Sequence, residues 1–240
     1  MFIAEIGNNH NGSEDKAALF LETLFKTSIE AITFQIREAL FYTSLTPDRI
    51  PLKNDFFKWA IQACHKNNKK IGFAIADPER IDFFNNAGAD FWKTLSWDIL
   101  NDPLQQKLQA TGKMVFISTG VSGMDDVVSA SKQYQNSKFI HTQLTYEADK
   151  ANLKAIQTMK KSTGKEIAFG SHCENKNIFF TAVAFEPSDI FFYIKGDDSE
   201  KYSDDKHAIK LSAVENLITE IKTLQSSLGD GAKIAMKKKL

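Results

Sequence analysis

Two hydrophobic patterns alternate along the chain. Short apolar runs rich in β-branched and aromatic residues are separated by longer segments with helical periodicity. Nearly continuous apolar runs are expected for parallel strands buried on both faces, and their alternation with helices predicts crossover connections. The eight predicted strands are Phe2–Ile6, Ala31–Ile36, Ile71–Ala76, Phe91–Leu95, Met114–Ser118, Phe139–Leu144, Glu166–Gly170 and Ile190–Lys195.

The segments between these strands carry helix start and stop signals, such as Asn54 as an N-cap and Gly88 and Gly164 as terminators. Two loops are long, Tyr42–Lys53 and Gly196–His207. The predicted helices are Asp15–Phe25, Asp55–Asn67, Pro78–Asn86, Pro103–Gln109, Asp125–Gln133, Ala151–Ser162, Asn177–Phe185 and Ser212–Leu224.

Eight strand and helix units can close into a barrel or lie open as a doubly wound sheet, and periodicity alone does not decide between them. Closure is favoured because the units number eight and because no GxGxxG motif follows the first strand. The length of 240 residues fits such a barrel, which usually needs ~250 residues, or one large domain of another kind. We predict one α/β domain over residues 1–240, a (β/α)₈ TIM barrel whose functional residues lie where the strands end.

The overall charge argues against nucleic acid or an anionic membrane as a partner. The 30 basic and 30 acidic residues cancel, and the hydrophobic fraction of 42% is that of an ordinary soluble protein. The basic run Lys237–Lys239 receives no role. Any charge-based function must therefore be local.

The cysteines and the apolar segments indicate the compartment. Cys64 and Cys173 are too few and too isolated for a disulfide framework, which favours a reducing cytoplasm. No stretch approaches the ~18 apolar residues of a membrane span, and Met1–Ala4 runs directly into Glu5 without a signal-peptide core. A cytoplasmic location is expected.

The segment Phe2–Ser13, FIAEIGNNHNGS, resembles the first strand and loop of the N-acetylneuraminate (sialic acid) synthase family. The likeness continues in register to the last predicted helix. Its further landmarks are Phe34-Gln35, Lys93, Ser96, Ile117–Gly120, His141, Ser171-His172 and Ser203–Lys206, the last resembling the family's PDHK loop.

The resemblance implies a barrel that condenses phosphoenolpyruvate with an N-acetylated sugar aldehyde to give a nine-carbon keto acid, with a divalent metal, Mn²⁺ or Mg²⁺. It implies catalytic roles for Glu5, for Asp98, which stands where the family has glutamate, and for His172, also a metal ligand. The residues implied to bind substrate are Gln35, Lys93, Ser96, Ser118 and Tyr146.

Residue chemistry supports part of this assignment. A lysine inside an apolar strand is costly to bury unpaired, which favours a functional Lys93. His172 follows a strand, where barrel active sites lie. His10 and Asn11 are expected to shape the first loop, and Cys173 and Glu174 are weaker ligand candidates. His65 and His207 receive no role.

Several positions depart from the family pattern. The second metal histidine, expected on strand eight, is replaced by Tyr193 or Ile194, so metal binding should be weakened. Thr33 replaces a lysine of the donor site, Leu144 an asparagine and Ile75 a threonine. The family also carries an antifreeze-like domain whose arginine reaches the partner subunit's site. We expect a homodimer here, or a separate antifreeze-like protein as partner.

Three hypotheses stay open. The first is a divergent synthase of nonulosonic acids for surface carbohydrates, acting on phosphoenolpyruvate or a related donor. The second is a catalytically silent barrel that binds a sugar or a partner protein. The third is an enzyme of another aldol or lyase type, with Lys93 as an amine nucleophile.

Overall fold

The structure is a computed structural model that describes residues 1–43, 46–233 and 235, so the Lys237–Lys239 run lies outside the described residues. The predicted barrel is confirmed: eight parallel strands follow one another around the sheet, and the first pairs with the eighth to close it. The strands are β1 Phe2–Gly7, β2 Ala31–Ile36, β3 Lys70–Ile75, β4 Phe91–Thr94, β5 Met114–Ser118, β6 Ser137–His141, β7 Ile167–Gly170, β8 Ile190–Lys195 and the short β9 Ile209–Lys210.

A helix follows each barrel strand and packs its apolar face on the outside of the sheet. The Ser13 hydroxyl caps the first helix by accepting from the Lys16 amide, and Gly88 and Gly164 end the third and sixth in the left-handed conformation. The helices are α1 Glu14–Phe25, α2 Asn54–Lys66, α3 Ile81–Ala87, α4 Asp102–Ala110, α5 Met124–Gln133, α6 Ala155–Thr163, α7 Asn177–Ala182 and α8 Val214–Ser227.

Several predicted boundaries were wrong by two or more residues, and a local cause is visible for three predictions. Strand β6 ends at His141 and not at Leu144, because the chain leaves the sheet there and Thr142 turns into the barrel mouth. Helix α6 begins at Ala155 and not at Ala151, because Asn152 adopts a positive φ of 47° that interrupts the helix. Asn54 is not a cap. It is the first residue of α2, and its side-chain oxygen accepts from Arg80.

The barrel interior begins with an apolar layer at the amino ends of the strands. Alternate strand residues point inward, and here they are Ile3, Ala31, Phe91, Phe116, Ile140, Ala168 and Phe191. Phe116 packs edge-on against Phe91 and Phe191, with ring centroids 5.5 and 5.1 Å apart. A Cβ on Gly72 would lie 2.3 Å from the Phe91 ring, so a glycine in β3 makes room for this layer.

A polar layer lies one inward step above the apolar one. Two residues further along, the inward positions of five strands are Glu5, Thr33, Lys93, Ser118 and Tyr193, and Thr142 joins them one residue past the end of β6. Because the strands are parallel, these side chains meet at one end of the barrel. The two-residue period of the strands therefore places a polar layer of side chains above the apolar layer.

Both cysteines, Cys64 and Cys173, are free and buried. Among the described residues, no helix is long and apolar enough to cross a membrane.

Candidate active site

A cavity of about 190 Å³ opens at the carboxyl ends of the strands. Its depth is set by Phe191 and Ile140 of the apolar layer, and its rim includes Trp97 and Leu144. The polar side chains that line it are Glu5, Gln35, Lys93, Ser96, Ser118, Thr142, Ser171, His172, Tyr193 and Asp204.

Glu5 and Lys93 form a buried ion pair inside this cavity. The Lys93 Nζ donates to Glu5 Oε1 over 2.8 Å, and the two side chains are 7% and 2% exposed. Tyr193 is the partner of Glu5 in the β1–β8 ladder, and the two side chains line the same cavity. Burial and the carboxylates of Glu5 and Asp204 raise the pKa of Tyr193 well above its usual value, so its hydroxyl keeps the proton at neutral pH.

Two histidines and this tyrosine form a contiguous aromatic group. The ring centroid of His207 lies 4.6 Å from that of His172 and 4.7 Å from that of Tyr193. Burial, together with the charges of His207 and Lys93, lowers the pKa of His172 to about 3. His172 is therefore neutral at neutral pH, the state in which an imidazole nitrogen can coordinate a metal.

The donor set fits a divalent ion only in part. Both ring nitrogens of His207 are buried without a hydrogen-bond partner, and Nε2 lies 3.4 Å from Asp204 Oδ1. Yet within the described part of the chain, no three or more His, Cys, Asp or Glu side chains are grouped so that they could hold an ion. His172 and His207 are thus suited to an ion that completes its shell with water or substrate.

The weaker ligand candidates Cys173 and Glu174 point to other partners. The Cys173 thiol donates to the Glu147 carbonyl oxygen over 3.6 Å, and Glu174 is paired with Lys206 at 3.8 Å.

The cavity brings together six residues predicted from the sequence, namely Glu5, Gln35, Lys93, Ser96, Ser118 and His172. Asp98 and Tyr146 are not among its lining. Asp98 Oδ1 accepts from Asn101 while its buried Oδ2 has no partner, and burial raises the pKa of its carboxyl group. Tyr146 is 49% exposed, with its ring 6.1 Å from that of His207. Their proposed roles remain predictions.

His207, Asp204 and Thr142 were missed as site residues. Strand β9 pairs with the end of β8, and this pairing folds the loop between them back over the barrel mouth. Asn9 fixes the loop, because its amide donates to the Ile194 carbonyl oxygen and accepts from the Asp204 amide. The available signal was the PDHK-like segment Ser203–Lys206, which directly precedes His207.

The structure also resolves which residue stands at the missing histidine's place on the strand. Tyr193 faces the cavity, whereas Ile194 is fully buried in the outer core. Thr33, in place of a lysine, is buried with an unpartnered hydroxyl and brings no charge.

Comparison with known proteins finds synthases of similar sequence. The N,N'-diacetyllegionaminic acid synthase of Campylobacter jejuni is 25% identical over 99% of this chain and 80% of its own length. The N-acetylneuraminate-9-phosphate synthase of Mus musculus is 23% identical over 96% of this chain and 72% of its own.

A solved structure has the same fold. The N-acetylneuraminic acid (sialic acid) synthetase of Leptospira borgpetersenii, in complex with citrate, superimposes with a TM-score of 0.90 at 22% identity, covering 98% of this chain and 87% of that one. The NeuB family matches residues 22–233, well over half of the chain. The chain therefore belongs to the NeuB family.

Proposed function

We propose that the chain is a synthase that condenses phosphoenolpyruvate, or a related donor, with an N-acetylated sugar aldehyde in the biosynthesis of nonulosonic acids for surface carbohydrates. The observation that carries this proposal is the buried pair of Glu5 and Lys93, with Tyr193 beside it, in the cavity at the strand ends. Burying two charged groups costs free energy, and buried charged groups in a cleft are typical of functional sites.

Lys93, Ser96 and Ser118 are suited to hold the donor. They present an ammonium group and two hydroxyl groups to one cavity, and ammonium and hydroxyl donors bind carboxylate and phosphate oxygens. A Cβ on Gly120 would lie 2.7 Å from the Ser96 Oγ, so this glycine lets Ser96 occupy its place.

The proposed reaction forms one carbon–carbon bond and cleaves one bond to phosphate. The donor's methylene carbon attacks the aldehyde carbon, and the aldehyde oxygen takes up a proton. Water adds to the donor's C2 and gives up one proton. The bond between C2 and the phosphate oxygen then breaks, and the new hydroxyl loses its proton to the leaving phosphate, which forms the keto group. In this proposal Glu5 orients that water and accepts its proton, and the Tyr193 hydroxyl, which lines the same cavity, donates toward a developing negative charge.

A divalent metal remains part of the proposal. His172 and His207 would hold it, and the chemistry that such an ion supplies when bound is polarisation of a carbonyl oxygen. Two imidazoles fix neither coordination geometry nor charge, so weak affinity without substrate is expected. Elemental analysis after dialysis should find much less than one metal per chain, and one tightly held metal would contradict this.

The test is a phosphate-release assay with phosphoenolpyruvate and a panel of N-acetylated hexosamines, with Mn²⁺ or Mg²⁺ present. Release that requires both substrates and is lost in Lys93→Met supports the proposal. Lys58→Met is the matched control, because Lys58 is exposed on α2, away from the cavity, and should keep full activity. Folded protein that releases no phosphate with any acceptor would contradict the synthase.

The charge of the cavity favours a second candidate, the silent sugar-binding barrel. Glu5 and Asp204 bring two negative charges to the lining and Lys93 one positive charge, which disfavours a multiply charged donor in the absence of a metal ion. Calorimetry separates the two functions. Tight binding of a neutral N-acetylhexosamine without metal and without turnover supports the catalytically silent sugar-binding barrel. Phosphoenolpyruvate binding that requires metal supports the synthase.

A further inference from the structure

The chain has only three arginines, Arg37, Arg49 and Arg80, and two of them lie over one aromatic ring in the long loop after β2. The guanidinium carbons of Arg37 and Arg49 lie 4.3 and 5.0 Å from the Phe41 ring centroid. The charges of Arg37 and Arg80 both reach the neighbouring Tyr42 hydroxyl. All other Lys and Arg positions of the chain are lysines. The planar guanidinium groups, which can form two parallel hydrogen bonds, therefore occur only around this loop.

Arg37 and Arg80 line a second cavity of about 240 Å³, together with His10, Gln35, Tyr42 and Asp77. Gln35 also lines the first cavity, so the two cavities are neighbours. Arg37 marks the same boundary, because its guanidinium carbon lies 5.4 Å from the ring of Trp97 on the rim of the first cavity. A ligand in the first cavity can thus extend a group toward the second.

The neutral groups of the second cavity are arranged as donors. The Tyr42 hydroxyl accepts from the Arg37 backbone amide over 3.0 Å, which leaves its own proton to donate. His10 Nδ1 accepts from the Gly12 amide, and burial lowers the pKa of this histidine to about 4, so the neutral ring carries its proton on Nε2.

Arg37 and Arg80 each use only one guanidinium nitrogen in hydrogen bonds within the described residues. Arg37 donates only from Nε, to Glu38 at 2.9 Å, and Arg80 donates only from one terminal nitrogen, to Asn54 at 2.6 Å. No further hydrogen bond from either guanidinium occurs within residues 1–43, 46–233 and 235. The Asp77 carboxylate is the acid in the lining, and it caps the Glu79 amide at 3.0 Å. Two forked cations with free terminal nitrogens match the geometry of phosphate oxygens.

We propose that the second cavity binds a phosphate monoester carried by one of the two substrates, with Arg37 and Arg80 holding its oxygens. The inference rests on the proposed function, since that function supplies the substrates. The phosphate belongs either to the donor or to a phosphorylated acceptor. In both cases Arg37 and Arg80 of the second cavity add positive charge beside the first cavity, where the lining carries two carboxylates and one ammonium group.

The test is equilibrium binding by calorimetry, which needs no turnover. The ligands, each titrated with Mg²⁺ present, are inorganic phosphate, phosphoenolpyruvate, an N-acetylhexosamine 6-phosphate and the same sugar without phosphate. The variants are Arg37→Gln, Arg80→Gln and the charge-conserving Arg37→Lys. Lys58→Gln is the control, because it removes one positive charge next to the cavity residue Phe57 without lining the cavity. Thermal unfolding verifies that each variant is folded.

We expect each glutamine variant to weaken binding of one phosphorylated substrate at least about tenfold, with Arg37→Lys intermediate and the control within twofold. A loss confined to the sugar phosphate identifies a phosphorylated acceptor, and a loss confined to phosphoenolpyruvate identifies the donor phosphate. Phosphorylated ligands that bind all variants within twofold, or that do not bind the wild type, overturn the inference. If the wild type turns over and the arginine variants bind the phosphorylated ligands unchanged, the phosphate site is wrong and the synthase proposal stands. If the phosphorylated ligands bind through the arginines but no turnover occurs, the synthase proposal is wrong and the phosphate site stands.

Discussion

The two ends of the barrel use the same kinds of side chain for opposite purposes. At the amino end of the strands, the buried carboxylate of Asp189 accepts from Lys138 at 2.9 Å, from the Ser188 hydroxyl at 2.8 Å and from the Met1 nitrogen at 3.2 Å. Its oxygens are fully partnered. Directly above lies the apolar layer around Phe116, so this end is packed and electrostatically satisfied.

At the carboxyl end the buried polar atoms are left incomplete. The hydroxyl of Thr142, both ring nitrogens of His207 and one oxygen of Asp98 are buried without a partner. An unpartnered buried polar group costs free energy, and such groups persist at sites that a ligand completes. The comparison teaches that stability is concentrated at one end of the strands and binding capacity at the other, two residues away along each strand.

The largest effect should come from breaking the buried ion pair of Glu5 and Lys93 at the carboxyl end. Lys93→Met leaves Glu5 buried without its partner, which should lower the free energy of unfolding by about 3 kcal/mol. Phosphate release should fall at least about a thousandfold, because a preorganised charge in the cavity is lost. Denaturant titration and the phosphate-release assay measure the two quantities.

The double variant Glu5→Gln with Lys93→Met separates these effects. It removes both charges, so most of the stability should return while activity stays absent. Recovery of activity in the double variant would show that Lys93 serves only to neutralise Glu5.

The second effect tests the amino end. Asp189→Asn removes the charge that Lys138 and Ser188 surround, and should cost about 2 kcal/mol of unfolding free energy. Activity per folded molecule should stay within twofold. Glu166→Gln is the control, because Glu166 also pairs with Lys138 but is 64% exposed, and should change stability by less than about 0.5 kcal/mol. An Asp189 variant with altered substrate affinity would contradict the division between the two ends.

The third effect should have the opposite sign. Thr142→Val replaces an unpartnered buried hydroxyl by a methyl group of similar size, and should raise the unfolding free energy by up to about 1 kcal/mol while weakening substrate binding. Thr119→Val is the matched control. Thr119 is also buried near the strand ends, but its hydroxyl donates to the Ile140 carbonyl oxygen at 2.9 Å, so its loss should destabilise by about 1 kcal/mol. Equal signs for the two variants would contradict the argument.

The barrel could be predicted from the sequence because strands buried on both faces leave an unmistakable apolar run and helices end at recognisable caps. Errors arose where side chains serve something other than secondary structure. Thr142 leaves β6 to line the cavity, and Asn54 accepts from Arg80 rather than capping α2. Strand β9, two residues long, has no periodicity to detect.

The candidate site was predictable where it lies on strands, and less so where it lies on loops. Glu5, Lys93 and Ser118 meet because parallel strands bring equivalent positions to one end. His207 was missed because its place depends on the pairing of β9 with β8 and on hydrogen bonds from Asn9, which are long-range contacts. The meeting of Arg37 and Arg80 in one cavity could likewise not be predicted, since they are 43 positions apart in the chain.

The smallest effect concerns the pH dependence of two buried aspartates, one at each end. Burial alone would raise the pKa of Asp189, but the hydrogen bonds and charge of Lys138 outweigh it and the pKa is lowered. Burial raises the pKa of Asp98, because its hydrogen bond from Asn101 does not compensate. Since the two shifts have opposite directions, the two groups should change stability with opposite signs as the pH falls.

For Asp189, the folded state binds its proton less readily than the unfolded state, so its stabilising contribution is present above the unfolded pKa of about 3.8 and is lost as the pH falls through the folded value. For Asp98, the folded state binds the proton more readily, so stability is gained as the pH falls from above the folded value toward 3.8. Asp98→Asn should therefore raise stability most at neutral pH, by less than about 1 kcal/mol, with the gain shrinking toward pH 4. Asp189→Asn should be most destabilising at neutral pH, and the difference should shrink only below about pH 3.8. Urea titrations of both variants and the wild type between pH 7 and pH 4 measure the Asp98 trend, and a gain that grows toward pH 4 would show that the Asp98 carboxylate is stabilised in the folded protein.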